Sequence, residues 1–211
     1  MSETAEHDVE TTEVESAAGD GLTDEERERR AAALAEVRTF GDPVLRSRAS
    51  EVREFDGDLA RQAERMVAIM RDAMGVGLAA TQLGVLRRLL VFAAGPDARP
   101  TALANPEIEW VSGELAVAEE GCLSLPGIGV DVERPLHARV RGHDVRGEPL
   151  LLEASGLEAR VLQHEIDHLD GVLVLDRTDR DQRKGALRAL REGSGYSPAA
   201  DDDDEDSVAQ T

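Results

Sequence analysis

Between Asp58 and Met74 the apolar positions Leu59, Ala63, Met66, Val67, Met70 and Met74 recur at steps of three and four. That spacing puts them on one stripe and predicts an amphipathic helix, with Gly75 in the usual helix-ending position. Methionines on such a stripe fill a core; they are not read as ligands. Further on the pattern shortens. RRLLVFAA (87–94), TALANPEIEWVS (101–112), LHARVRGHD (136–144) and EPLLLEAS (148–155) are brief β-prone runs punctuated by Gly and Pro. They predict strands joined as hairpins and meanders. Leu157, Val161, Leu162, Ile166 and Leu169 return to helical spacing, predicting a helix over 157–169, and DQRKGALRALRE (181–192) predicts another. Helix, strands, helix without βαβ alternation gives an α+β fold class, not a doubly wound sheet.

Charge then divides the chain of 211 residues. The formal net charge is −20, of which residues 1–30 carry −8 and residues 192–211 carry −7, leaving −5 for the middle. Such ends are too polar to bury a core. Three segments are expected: a disordered acidic tail (1–35), one catalytic domain (36–192), and a second disordered acidic tail (193–211). No basic patch points to nucleic acid, and the tails would repel phosphate. MSETAEHDVETTEVESAAGDG has no apolar run and no early positive charge, so neither a secretory signal nor a transit peptide is expected. No apolar run approaches the ~20 residues of a membrane span. One cysteine excludes an internal disulfide. A cytoplasmic protein fits these features. A monomer is expected because the sequence shows no exposed apolar stripe.

Candidate chemistry sits in three stretches. QHEIDHLDG contains His164, Glu165 and His168 as HExxH. On a helix the two imidazoles lie one turn apart on one face and can hold one metal ion, with the glutamate beside them. The motif alone also arises by chance, and the downstream acids Asp176, Asp179, Asp181 and Glu192 offer no convincing third ligand. EGCLSLP (120–126) holds the single cysteine, Cys122. A lone cysteine is often just a small buried hydrophobe, but a thiolate is also a strong ligand for zinc or ferrous iron. Cys and two His would leave a fourth position open, as in catalytic sites. GVGLAATQ (75–82) reads either as a flexible Gly-Ala loop or as a surface for close backbone approach, with Gln82 as an uncharged oxyanion donor. It lacks the Lys-Ser/Thr of a phosphate loop.

Together, in this order, GVGLAATQ, EGCLSLP and QHEIDHLDG resemble the three signature motifs of the peptide deformylase family, and similarity of pattern extends over residues 36–192. The resemblance implies antiparallel sheets around a central helix bearing HExxH. It implies hydrolysis of the N-formyl group of N-formylmethionyl nascent polypeptides, with release of formate. Metal ligands would be Cys122, His164 and His168, and the ion commonly Fe2+, with Zn2+, Ni2+ or Co2+ able to replace it. Glu165 would be the acid/base, and Gln82 with the Leu123 N–H the oxyanion site. Gly75, Val76, Gly77, Glu120 and Gly121 would line the extended peptide, and Leu157 and Val161 a methionine pocket. Glu120 and Arg134 form a candidate ion pair. Asp167 and Asp170 read equally as support for the site or as solvated groups. A generic HExxH peptidase would leave Cys122 and Gln82 unexplained, and a degenerate, non-catalytic paralogue would be expected to lack Glu165 or Gln82. Any ribosome contact would be a transient one through Arg183, Lys184, Arg188 and Arg191, since the DDDDED tail is repelled by RNA.

Overall fold

The computed structural model describes residues 21–95 and 98–198; the expected disorder of 1–20 and 199–211 lies outside them. Four helices, α1 (Asp24–Glu36), α2 (Gly57–Asp72), α3 (Leu157–Leu169) and α4 (Arg180–Glu192), accompany seven strands. The strands are β1 (Gly77–Ala79), β2 (Leu89–Phe92), β3 (Thr101–Val111), β4 (Leu115–Cys122), β5 (Leu125–Pro135), β6 (His137–His143) and β7 (Pro149–Ser155). β1-β2-β3-β6-β7 form one antiparallel sheet, and β4-β5 form a separate hairpin. The α+β class holds.

Alternation along β1 and β2 positions the two central helices. Leu78, Leu89 and Val91 point into a core with Leu59, Met66 and Met70 of α2. Their neighbours Ala79, Leu90 and Phe92 point the other way, against Ala159, Leu162, Ile166 and Leu169 of α3. Successive strand residues face opposite sides, so α2 and α3 cover opposite faces, and β2 reads as the unbroken apolar run LLVF. A third core lies between the hairpin and α4: Val130, Val132, Val174, Leu175, Ala186 and Ala189.

Four expectations are corrected. Residues 24–35 are not a disordered tail but helix α1. Thr23 Oγ1 accepts the Glu26 N–H at 3.3 Å while Glu26 Oε2 accepts the Thr23 N–H at 2.7 Å, a reciprocal cap. Asp24, Glu25 and Glu26 stand where the helix dipole favours acids. So short a helix is marginal alone; buried Ala33 and Val37 anchor it in the α2 core. The first residues of the C-terminal segment are also placed: Tyr196 N–H donates to Gly127 O at 2.9 Å and Gly129 N–H to Tyr196 O at 2.8 Å. Helix α2 closes at Asp72, and the left-handed position that follows it falls on Met74, not Gly75. Met74 takes the left-handed conformation (φ 60), with Met74 N–H to Arg71 O and Gly75 N–H to Met70 O closing a Schellman motif. Finally, Ile108, Trp110 and Val111 of β3 and Leu115 and Val117 of β4 are exposed, contrary to the basis given for a monomer.

Candidate active site

Helix α3 packs Ala159, Leu162, Ile166 and Leu169 into the core and turns Leu157, Arg160, Val161, His164 and Glu165 to a cleft of about 720 Å³. Gly75, Val76, Gly77, Gln82, Glu120, Gly121, Cys122 and Leu123 line the same cleft. His168 lies beneath it, buried. All three sequence stretches are thus brought together, and Leu157 and Val161 stand in the cleft wall.

The donor atoms converge. His164 Nε2 and His168 Nε2 are 3.2 Å apart, Cys122 Sγ is 3.2 Å from His168 Nε2, and the three ligand atoms lie within 4.8 Å of one another. Atoms about 2.0–2.3 Å from a common tetrahedral ion would be spaced by about 3.3–3.6 Å, close to what is seen. Two imidazole nitrogens that face each other cannot both direct a proton at the same point, whereas a cation accepts all three lone pairs. The residues therefore fit a divalent metal. Among the described residues this is the one such cluster, and Asp176 instead pairs with Arg46 and Arg183.

The ligands are held from behind. Glu120 Oε2 lies 2.9 Å from His164 Nδ1, which leaves Nε2 as the lone-pair nitrogen when Nδ1 carries the proton. Glu120 also accepts from Arg134 Nε (2.6 Å) and Nη2 (3.0 Å) and from Arg160 Nη1 (2.7 Å). Burial opposes ionisation of Glu120, but His164 and Arg134 outweigh it and hold the carboxyl down at about 2. Both oxygens are engaged, so Glu120 serves His164 and not the substrate, correcting its expected role as a peptide contact. Its expected pairing with Arg134 is present. Arg134 donates onward to Asp167 (2.9 Å), which also takes Arg177. Asp167 is thus buried in support of the site, while Asp170 pairs with Arg88 and Arg48 at the surface.

Glu165 is buried, its Oε2 has no partner, and burial pushes its carboxyl up to about 7 against the pull of the His164 charge. Gly77 explains how it fits. A Cβ on Gly77 would lie 2.8 Å from Glu165 Cδ and 2.9 Å from Cγ, so β1 can pass over the carboxylate only as glycine. Gly75 leaves room for Leu123, whose Cδ1 would be 3.1 Å from an added Cβ. Gln82 accepts the Ala79 N–H on Oε1 at 2.9 Å, which fixes its amide with Nε2 toward Ser124 Oγ (3.3 Å) and Cys122 Sγ (3.7 Å).

Sequence reasoning misses Arg160, Arg177, Ser124 and Thr81. Arg160 sits one turn before His164 on the same helix face and bonds Val132 O and Ala116 O besides Glu120; its helical spacing is a usable signal. Thr81 Oγ1 donates to His168 O at 3.2 Å, tying the GVGLAATQ stretch to the end of α3.

Comparison with known proteins agrees with this geometry. The family described as polypeptide deformylase matches residues 34–184. A peptide deformylase of Acidothermus cellulolyticus is 47% identical over 160 residues, covering 76% of this chain and 87% of the relative. One of Thermotoga neapolitana is 52% identical over 141 residues, covering 67% and 85%. The crystal structure of peptide deformylase from Thermus thermophilus superposes with a TM-score of 0.70 at 44% identity, covering 74% of this chain and 93% of that one. With the match spanning most of its length and the motif residues meeting in one cleft, the chain belongs to the polypeptide deformylase family.

Proposed function

We propose that this chain hydrolyses the N-formyl group of N-formylmethionyl polypeptides, with Cys122, His164 and His168 holding one divalent metal ion and Glu165 moving the proton. The family is a metal-dependent one, and the ion proposed here is Fe2+, with Zn2+, Ni2+ or Co2+ as substitutes. One observation carries the residue roles: three metal-binding atoms and a buried carboxylate with a free oxygen face one cleft.

When bound, such an ion lowers the pKa of water and polarises the formyl oxygen. Glu165, whose Oε2 is free and faces the cleft, accepts a proton as attack begins and returns it to the leaving amine. Gln82 Nε2 and the Leu123 N–H are the donors proposed for the developing oxyanion, where a preorganised donor contributes about 2.7–4 kcal/mol. Glu120 keeps His164 in the ligating tautomer. Gly75, Val76, Gly77 and Gly121 hold the peptide in extended form through backbone hydrogen bonds, and Leu157 and Val161 receive the methionine side chain. The proposed setting is the cytoplasm, with nascent polypeptides as substrate and the chain acting as a monomer. Arg183, Lys184, Arg188 and Arg191 of α4 are the residues proposed for transient ribosome contact.

The test is formate release from formyl-Met-Ala by anaerobically purified, iron-loaded protein. Wild type should turn over, Glu165→Ala should keep its metal without turnover, and Cys122→Ala should lose metal. A full complement of metal with no formate from wild type would refute the assignment.

A further inference from the structure

The cleft is not walled by the family segment alone. Leu22 and Arg30 precede the matched residues 34–184 and Tyr196 and Ser197 follow them, yet all four line the same cleft as Gly77, Cys122, His164 and Glu165. Helix α1 is a firm wall. Its cap closes one end, Ala33 and Val37 are buried against α2, and Leu34 packs on the same core and also lines the cleft. Arg30 is one turn before Leu34, so the two share a face. Charge distinguishes Arg30 from its neighbours. Arg27 bonds Asp24 and Arg29 pairs with Glu25, whereas the Arg30 side chain has no hydrogen bond or ion pair among the described residues and lines the cleft. The other arginine lining it, Arg160, is committed to Glu120 and two carbonyls. Glu119, contributed by β4, accepts the Ser197 hydroxyl at 2.9 Å.

We propose that α1 adds a subsite to the peptide groove, in which Arg30 favours an acidic side chain on substrate residues downstream of the formyl-methionine. The subsite rests on the deformylase assignment. A peptide held extended advances about 3.3 Å per residue, so residues downstream of the formyl-methionine run outward along the cleft that Arg30 also lines. Arg30 is exposed, so the pairing has the strength of a surface ion pair and is screened by salt.

The experiment uses the full-length, metal-loaded chain and C-terminally amidated formyl-Met-Ala peptides extended by glutamates or by lysines, with formyl-Met-Ala amide as the short control. At low ionic strength wild type should prefer the glutamate peptides by about 2- to 5-fold in kcat/KM, carried by KM. Arg30→Glu should invert that preference, and Arg29→Glu should leave it unchanged. All three proteins should turn over the short control equally. An unchanged glutamate-to-lysine ratio in Arg30→Glu overturns the subsite. So does a uniform change over all peptides including the short one, which would mark Arg30 as acting on the cleft as a whole and not on downstream residues. Absence of turnover of the short control by wild type would speak against the deformylase assignment itself.

Discussion

Replacing Gly77 with alanine should cost most of the activity while leaving the metal in place. The three atoms nearest the added methyl all belong to Glu165: Cδ at 2.8 Å, Cγ at 2.9 Å, and Oε1 closer than either. Ordinary contact begins at 3.4 Å. Cδ must then retreat by about 0.6 Å and the carboxylate oxygen by on the order of 1 Å, a misplacement that typically lowers a rate about 100-fold. That corresponds to about 2.7 kcal/mol of transition-state stabilisation. Overpacking should cost about 1–3 kcal/mol of fold stability as well, so activity is measured well below the melting point, by formate release per bound metal. None of the three nearest atoms belongs to Cys122, His164 or His168, so metal content should match wild type. In a Glu165→Asp background the same alanine should cost much less, because the shorter chain vacates the contested space; such non-additivity marks direct contact. A Gly77→Ala enzyme within about threefold of wild type, or one equally impaired in both backgrounds, would refute the steric account.

Three further outcomes follow from the charges. Arg134→Met should lower stability in urea unfolding by about 1.5–3 kcal/mol, because Glu120 and Asp167 lose their shared buried guanidinium and keep only Arg160 with His164 and Arg177; a change under about 1 kcal/mol would contradict this. Glu120→Gln should weaken metal binding about 10- to 100-fold in a competition titration with a chelator, by releasing His164 from its orientation. Asp176 opposes its partial burial through Arg46, the Leu173 N–H and Arg183, which together hold its carboxyl below the usual range. A folded-state pKa below the unfolded one stabilises above the ordinary carboxylate range and is lost as pH falls through the folded value. Wild type should therefore exceed Asp176→Asn in stability at pH 7, and the gap should close as unfolding is repeated in acid.

Legibility in the sequence followed the strength of the local pattern. Helix α3 has the bounds its apolar spacing predicts, Leu157–Leu169, because one face is uniformly apolar. Strand β1 reads as a Gly-Ala loop because Gly-Leu-Ala is too short to show alternation; only pairing with β2 makes it a strand. The acids of LAVAEEGC hide β4, and the charge of 24–36 hides α1, whose helix depends on a cap and on docking against α2 rather than on its own apolar stripe. The ligand set is visible because metal binding demands particular residue types at particular spacings. The placement of Glu120 is half visible: the sequence offers it both as a peptide contact and as the partner of Arg134, fourteen positions away, and its bonds to Arg134 and His164 decide between them. Met74 shows the converse, a left-handed residue where a glycine stood next in line.

The cysteine arrives on the hairpin and the histidines on α3, and these belong to separate apolar cores. What joins them is polar: Glu120 and Arg134 on one bank, Arg160, His164 and Asp167 on the other. Greasy surfaces slide past one another with little penalty, whereas forked, directional bonds index two parts to a single register. The catalytic centre is thus assembled like a keyed joint, its tolerance set by a few arginine forks. Because the key is largely shut away from solvent, added salt should loosen it far less than it loosens the surface pairs.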